Sequence, residues 1–305
     1  MSKLLRTAAL ALLLMPQLGE AQDFDVGLAA AQEGDFATAL RELRPLAEQG
    51  YAPAQFYLGI MYVNGDGVNK NHAEAAKWYR RAADQGDAKA QKYLGDLYAT
   101  GQGVAQSFPE AVRWFRLSAE QGEPLAQYTL GNMYQSGKGV TQDITEAVRL
   151  YSLAAEQGDP RAQYNLGNMN VLGDGVPQDY AAALKWFNMA VGQDFVPAQH
   201  NLAVMYQKGE GVAQDYAEAV RLFRPAAEKG YPLAQFSLGY MYENGHGVPQ
   251  NIVAAQMWFI IASGAGYPDA VSARNGTAAK MAADEQVEAQ DRATLCIASN
   301  YVGCD

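Results

Sequence analysis

Histidine, cysteine and closely spaced carboxylates build most hydrolytic and metal chemistry, and in this chain they rarely fall at useful spacing. His72, His200 and His246 stand apart, none with a second His or Cys at metal-ligand spacing. No Gly-x-Ser-x-Gly turn, no His-Glu-x-x-His and no Ser-x-x-Lys occurs. The pairs Asn71…Glu74, Ser107…Glu110, Asp143…Glu146 and Asp215…Glu218 look at first like paired acids. Each recurs just ahead of an apolar helical run, which makes it a helix start with capping-box-like spacing instead. Gly-x-Gly-Val recurs at Gly65, Gly101, Gly137, Gly173, Gly209 and Gly245. A phosphate cradle needs a strand before such glycines and Lys-Ser/Thr after them, and neither is present. No catalytic residue, metal or cofactor is assigned.

The elements that carry these residues repeat. Gly50, Gly86, Gly122, Gly158, Asp194 and Gly230 open successive segments 36 residues apart, a period that marks a solenoid of supersecondary units. Length alone would suggest two domains, and the period overrides that prior. In each segment a first helix carries an apolar stripe, as at Ala126, Leu130, Met133 and Tyr134. Beside the Leu stands a glycine (Gly59, Gly95, Gly131, Gly167, Gly239, with Ala203 in the fifth segment). Glycine inside a helix costs about 1 kcal/mol relative to alanine, so its recurrence points to close helix–helix approach. The first Gly of Gly-x-Gly-Val suits a left-handed C-cap, and the Val an apolar anchor under the loop. The second helix starts at the N-cap column Asn71, Ser107, Asp143, Asp179, Asp215 and Asn251. It then buries a face such as Ala75, Trp78, Tyr79 and Ala82. Pro45 and Pro225 fall late in second helices and are expected to kink or end them.

The pattern Ala-x-x-x-Leu-Gly-x-x-Tyr, Gly-x-Gly-Val, cap, Ala-x-x-Trp-Tyr/Phe resembles the Sel-one-like repeat family, relatives of tetratricopeptide repeats with a longer connecting loop. The resemblance implies an all-α fold, an α/α superhelical solenoid of helix–loop–helix repeats. Six full units span residues 50–265, with departures at Asn170, Asp194 and Ala203. Residues 22–49 read as a tetratricopeptide-like capping repeat, and residues 266–305 as a C-terminal capping segment with a last helix from about Asp284 to Cys296.

In tetratricopeptide stacks a groove is lined by first-helix residues that face away from the second helix. Carried onto this chain, that gives one column at Phe56, Lys92, Tyr128, Tyr164, His200 and Phe236. A second column runs through Ile60, Asp96, Asn132, Asn168, Val204 and Tyr240. The candidate groove residues are therefore Phe56, Ile60, Tyr128, Asn132, Tyr164, Asn168, His200, Phe236 and Tyr240. Asn132 and Asn168 would hydrogen-bond an extended peptide backbone while Tyr128 and Tyr164 stack its side chains. The alternative for the aromatic column is half-buried packing between neighbouring units.

Residues 1–21 read as a secretory signal peptide. Lys3 and Arg6 precede a short apolar run through Met15, and Gly19-Glu20-Ala21 offers a cleavage point. The run is shorter than the roughly 20 residues of a membrane span, and an uncleaved anchor is the rival reading. Periplasmic or secreted location follows. Cys296 and Cys304 are the two cysteines, and an even count in an exported chain points to a disulfide, with two free thiols as the alternative. The net charge of −10, which becomes −11 once Lys3, Arg6 and Glu20 leave, argues against nucleic acid as a partner. Without a basic stripe, an anionic membrane is an unsuitable partner too, and no membrane insertion is expected after cleavage. The expectation is a monomeric, exported, non-catalytic scaffold that binds a protein or peptide, an adaptor or regulator in the bacterial cell envelope. The alternative is a weak cell-wall or β-lactam-directed hydrolase or binding protein, since some cysteine-rich members of the resembled family bind or hydrolyse penicillin weakly.

Overall fold

The computed structural model describes residues 23–304, so the signal-peptide reading lies outside the described residues. Those residues form sixteen helices and no strand. They divide between Ala154 and Ala155 into two compact units. The first holds α1 (residues 23–33), α2 (Phe36–Gln49), α3 (Ala52–Asn64), α4 (His72–Asp84), α5 (Ala88–Thr100), α6 (Phe108–Glu120) and α7 (Pro124–Ser136). The boundary falls inside α8 (Ile144–Glu156). The second holds α9 (Pro160–Leu172), α10 (Tyr180–Val191), α11 (Val196–Lys208), α12 (Tyr216–Glu228), α13 (Pro232–Asn244), α14 (Ile252–Gly264), α15 (Pro268–Ala278) and α16 (Ala283–Ala298).

Within each unit the helices pack as consecutive neighbours. In the first, α3 lies on α4 and α5 on α6, with α4 against α5. In the second, α9 lies on α10, α11 on α12 and α13 on α14. The fold is thus an all-α solenoid of helix–loop–helix repeats. A Cβ added at Gly95 would lie 2.7 Å from the Phe115 ring, and one at Gly131 would lie 2.8 Å from the Tyr151 ring. The glycine column therefore sits directly under the aromatic of its own second helix, and Ala203, fully buried, fills it in the fifth repeat.

Each connecting loop begins at a left-handed glycine, for example Gly137 with φ 70°, whose N–H returns to the Met133 carbonyl. It ends on the expected cap: Asn71 Oδ1 accepts from Glu74 N–H at 3.2 Å and Asp215 Oδ1 from Glu218 N–H at 2.9 Å. The second half of the capping box does not form at these helices. The cap's own N–H is already donated to the first helix, as from Asn71 to the Tyr62 carbonyl at 2.8 Å. The glutamates turn instead to a base three residues on, Glu74 to Lys77 at 2.6 Å and Glu146 to Arg149 at 2.7 Å. Exposed pairs of this kind contribute about 0.3–0.5 kcal/mol each.

Neither proline ends its helix. Pro45 lies inside α2 and Pro225 inside α12, and both helices run on to Gln49 and Glu228. The carbonyls deprived of a donor belong to Arg41 and Arg221, both exposed residues, so water can satisfy them. At the C-terminus α16 packs on α14, beginning one residue earlier and ending two later than expected. Cys296 and Cys304 are joined by a disulfide.

Candidate functional site

The first-helix face is built by the same geometry in five of the six repeats, the second having Lys92 in the column. The aromatic column lies against the ring beneath the glycine column. Phe56 meets Tyr79 at 5.9 Å, Tyr128 meets Tyr151 at 6.0 Å and Tyr164 meets Phe187 at 6.1 Å. His200 meets Phe223 at 5.4 Å and Phe236 meets Phe259 at 5.6 Å. In the second unit the aromatic that opens the following first helix adds a second wall: Phe195 to Tyr164, Tyr231 to His200 and Tyr267 to Phe236. Phe56 and His200 are left 6% and 7% exposed, so these two rings are packing. Tyr128, Tyr164 and Phe236 are half-buried and keep an edge to solvent. Tyr240 is the open member of the other column at 40% exposed, its ring edge-on to His246.

In the first unit, Ile60 and Phe56 border a small cavity of about 250 Å³ shared with Lys89, Lys92, Tyr93 and Leu125. Lys92 reaches Asp96 at 2.9 Å and lies 4.2 Å from the Tyr93 ring centre. Burial raises the Asp96 carboxyl above its ordinary value, opposed by the Lys92 ammonium. Asn132 is engaged from behind: its Oδ1 accepts from the Tyr151 hydroxyl at 2.6 Å. Tyr79 occupies the same place two repeats earlier, but Ile60 and Val63 stand where Tyr151 finds Asn132 and Gln135. Its buried hydroxyl has no partner, and burial pushes its pKa well up.

The second unit holds a continuous polar row. Asn201 Nδ2 donates to Asn168 Oδ1 at 2.6 Å, which turns Asn201 Oδ1 toward His200 Nδ1 at 3.1 Å. The proton therefore sits on Nδ1, and Nε2 is left to accept from the Ser237 hydroxyl at 3.3 Å. Burial holds His200 below the ordinary histidine pKa, with the Asn201 contact opposing. Ser237, His200 and Asn201 have the order of a hydrolase relay. Acyl transfer also needs donors for the oxyanion, and Ser237 lies inside α13, where its N–H and that of Leu238 are spent on the helical ladder. The row can orient side chains and offer amides to a backbone. Among the described residues no group of three or more His, Cys, Asp or Glu side chains is placed to hold a metal ion. Nor is any helix among them long and apolar enough to cross a membrane.

A further column escaped the reading of the sequence. Gln55, Gln91, Gln127, Gln163, Gln199 and Gln235 recur in every repeat. Gln55 donates to the Ala47 carbonyl at 3.0 Å, Gln91 to Ala83 at 3.1 Å and Gln163 to Ala155 at 3.1 Å. A polar residue identical at every step of a period, on a buried face, was the signal.

Stacked helix pairs that spend their aromatics on packing and turn amides outward define an α-solenoid scaffold. The Sel1 repeat pattern matches residues 52–87, 88–123, 124–159, 160–194, 196–231 and 232–267. The chain belongs to the Sel1 repeat family, whose members are generally non-catalytic scaffolds for protein–protein interaction. A Sel1 repeat protein from Oxalobacter formigenes is 32% identical with a TM-score of 0.71, covering 79% of this chain and 96% of its own. The protective antigen c5321 of uropathogenic Escherichia coli, which displays an SLR fold, is 25% identical over 93% of both chains with a TM-score of 0.45. No curated protein matches the chain.

Proposed function

We propose that the chain is an exported, monomeric, non-catalytic scaffold that holds an extended segment of a protein partner on its first-helix face, as an adaptor or regulator in the bacterial cell envelope. The observation that carries this reading is the outward row of amides and aromatic edges. Asn168 and Asn201 lie half-buried in hydrogen-bonded contact, and Tyr240 stands open in the column of Asn168, two repeats further on. Tyr164 and Phe236 contribute the stacking edges, while the buried rings of His200 and Phe56 serve the packing of their own units. In the first unit Tyr128, Asn132 and Ile60 take the corresponding places. Export is supported by the Lys3/Arg6 start with its apolar run and by the Cys296–Cys304 bridge, a bond that persists in oxidising compartments. On this reading residues 1–21 are removed, residues 22–49 cap the stack, residues 50–265 form six repeats and residues 266–305 close the far end.

The test is photo-cross-linking in living cells with a benzophenone side chain at Tyr240, followed by mass spectrometry. One dominant adduct is expected, and the same substitution at Lys77, on an exposed second-helix face, should not give it. A smear of unrelated adducts, or an equal yield from both positions, would remove the reading.

A further inference from the structure

Position 172 breaks the pattern of its column. The corresponding residues of the other repeats are Asn64, Thr100, Ser136, Lys208 and Asn244, all polar and all at the end of a first helix. Leu172 stands there 75% exposed. A large aliphatic side chain in water, at a place where five sister repeats keep a polar one, contributes nothing to the stack.

Leu172 borders a slot on the first-helix face of the second unit, between the C-terminal ends of α9 and α11. Phe187 and Met205, both buried, form its floor, and Val204 forms a wall. The hydrogen-bonded Asn168–Asn201 pair closes one end. Lys208 stands at the other, its ammonium 3.6 Å from Glu210 in a loose, exposed pair that leaves donors unused. The volume is about 220 Å³. Small-molecule sites run from roughly 300 to 1,000 Å³, so the slot suits one side chain and is too small for a metabolite.

We propose that this slot seats a single bulky aliphatic side chain (Leu, Ile or Met) of an extended partner segment, and that a neighbouring acidic residue of the segment meets Lys208. The commitment to an acidic neighbour rests on Lys208, which lines the slot together with Glu210 and, 3.6 Å from it, keeps ammonium donors for a second carboxylate. The commitment to an aliphatic side chain rests on the apolar floor and on the volume. The Asn168–Asn201 amides lie where the segment's backbone would pass. The inference rests on the scaffold reading above and specifies what that scaffold recognises.

The experiment uses the full chain with labelled Leu, Val and Met methyl groups, titrated with acetylated nonapeptides in a Gly/Ser background. The central residue is Leu, Ile, Met, Phe or Ala, and an Asp or a Lys stands two positions away. Peptides with Leu, Ile or Met and Asp should shift the methyl signals of Leu172, Val204 and Met205. Ala at the centre, or Lys for Asp, should weaken binding about tenfold, as loss of one interface anchor does. Leu172→Asn, the residue of two sister repeats, should abolish the shifts at Val204 and Met205 without lowering the melting temperature. Should that variant melt early, Lys208→Glu supplies the second test, reversing the preference from Asp to Lys. Equal response to the Ala-centred peptide, shifts confined to other methyls, or no shift at all overturns the proposal. A dominant adduct at Tyr240 together with a silent slot removes the slot and leaves the scaffold; the absence of any adduct removes both.

Discussion

The Gln85 side-chain amide donates to Gln55 Oε1 at 2.8 Å across thirty positions of sequence, and Gln55 in turn donates to the Ala47 carbonyl at 3.0 Å. One buried glutamine thus stitches the end of α2 to the end of α4. The same stitch recurs from Gln121 to Gln91 at 2.8 Å and from Gln193 to Gln163 at 3.0 Å. It fails twice. Lys229 takes the donor's place in the fifth repeat and goes to Asp194, and Ala265 takes it in the sixth. The Oε1 atoms of Gln199 and Gln235 are left buried without a partner.

Replacing Gln91 by Ala should therefore cost about 1–3 kcal/mol, because it removes two hydrogen bonds, to the Ala83 carbonyl and from the Gln121 amide, each contributing about 0.5–1.5 kcal/mol. Ala265→Gln should do the reverse, giving Gln235 Oε1 the donor it lacks and stabilising the second unit by about 0.5–1.5 kcal/mol. Urea denaturation of both variants checks the pair. A neutral or destabilising Ala265→Gln would show that the vacancy is not set by the missing donor.

The glycine column makes a sharper claim. Gly95→Ala places a methyl 2.7 Å from the Phe115 ring. Helix propensity favours the change by about 1 kcal/mol, while overpacking of a close-packed site costs typically 1–3 kcal/mol, so a net loss is expected. Phe115→Leu in the same chain should recover part of it, because the smaller side chain vacates the contact. If Gly95→Ala proves stabilising, the ring moves freely and the column has another cause.

Most of this architecture was legible because the sequence states it six times over. Period, N-caps, left-handed C-caps and the close approach at the glycine column were all readable, although the ring that makes that approach was not. What could not be read were the features set by neighbours distant in sequence. The second glycine of Gly-x-Gly has its reason in the preceding repeat: a Cβ at Gly139 would lie 2.6 Å from the Phe108 backbone. The glutamate of the capping box was drawn to a base because the loop had already claimed the cap's N–H. Pro45 and Pro225 stayed helical where the carbonyls they strand belong to the exposed residues Arg41 and Arg221. At the candidate site the columns were readable but not their burial, so Phe56 and Tyr240 looked alike in sequence and differ widely in exposure.

His200 makes stability depend on pH. Both its ring nitrogens meet neutral groups, and burial lowers its pKa below the ordinary value of about 6.5 that the unfolded chain retains. The unfolded chain therefore binds the proton first as pH falls. Stability is complete above pH ~6.5, declines as pH drops through that value, and has lost its full His200 contribution once the folded-state pKa is passed. His200→Gln should show a shallower fall in melting temperature between pH 7.5 and pH 5 than the parent. Identical slopes would mean that the buried ring accepts its proton without cost.

The C-terminal bridge should act locally. Cys296–Cys304 closes a turn in which Asn300 and Tyr301 hold left-handed backbone (φ 55° and 65°), and the Tyr301 N–H donates to the Cys296 carbonyl at 2.8 Å. The Tyr301 ring lies over Gly230, at the turn between α12 and α13. Removing the bridge with Cys296→Ser and Cys304→Ser frees a short loop, a loss of about 2–3 kcal/mol on the chain-entropy model. In a solenoid each repeat answers mainly to its neighbours, so the loss should be confined to that end. Hydrogen exchange should quicken in α16 and at the Gly230 turn, with the amides of α3–α6 unchanged. Faster exchange spread evenly over both units would mean that the cap governs the whole chain, and no change at all would mean that α16 is held by its packing on α14 alone.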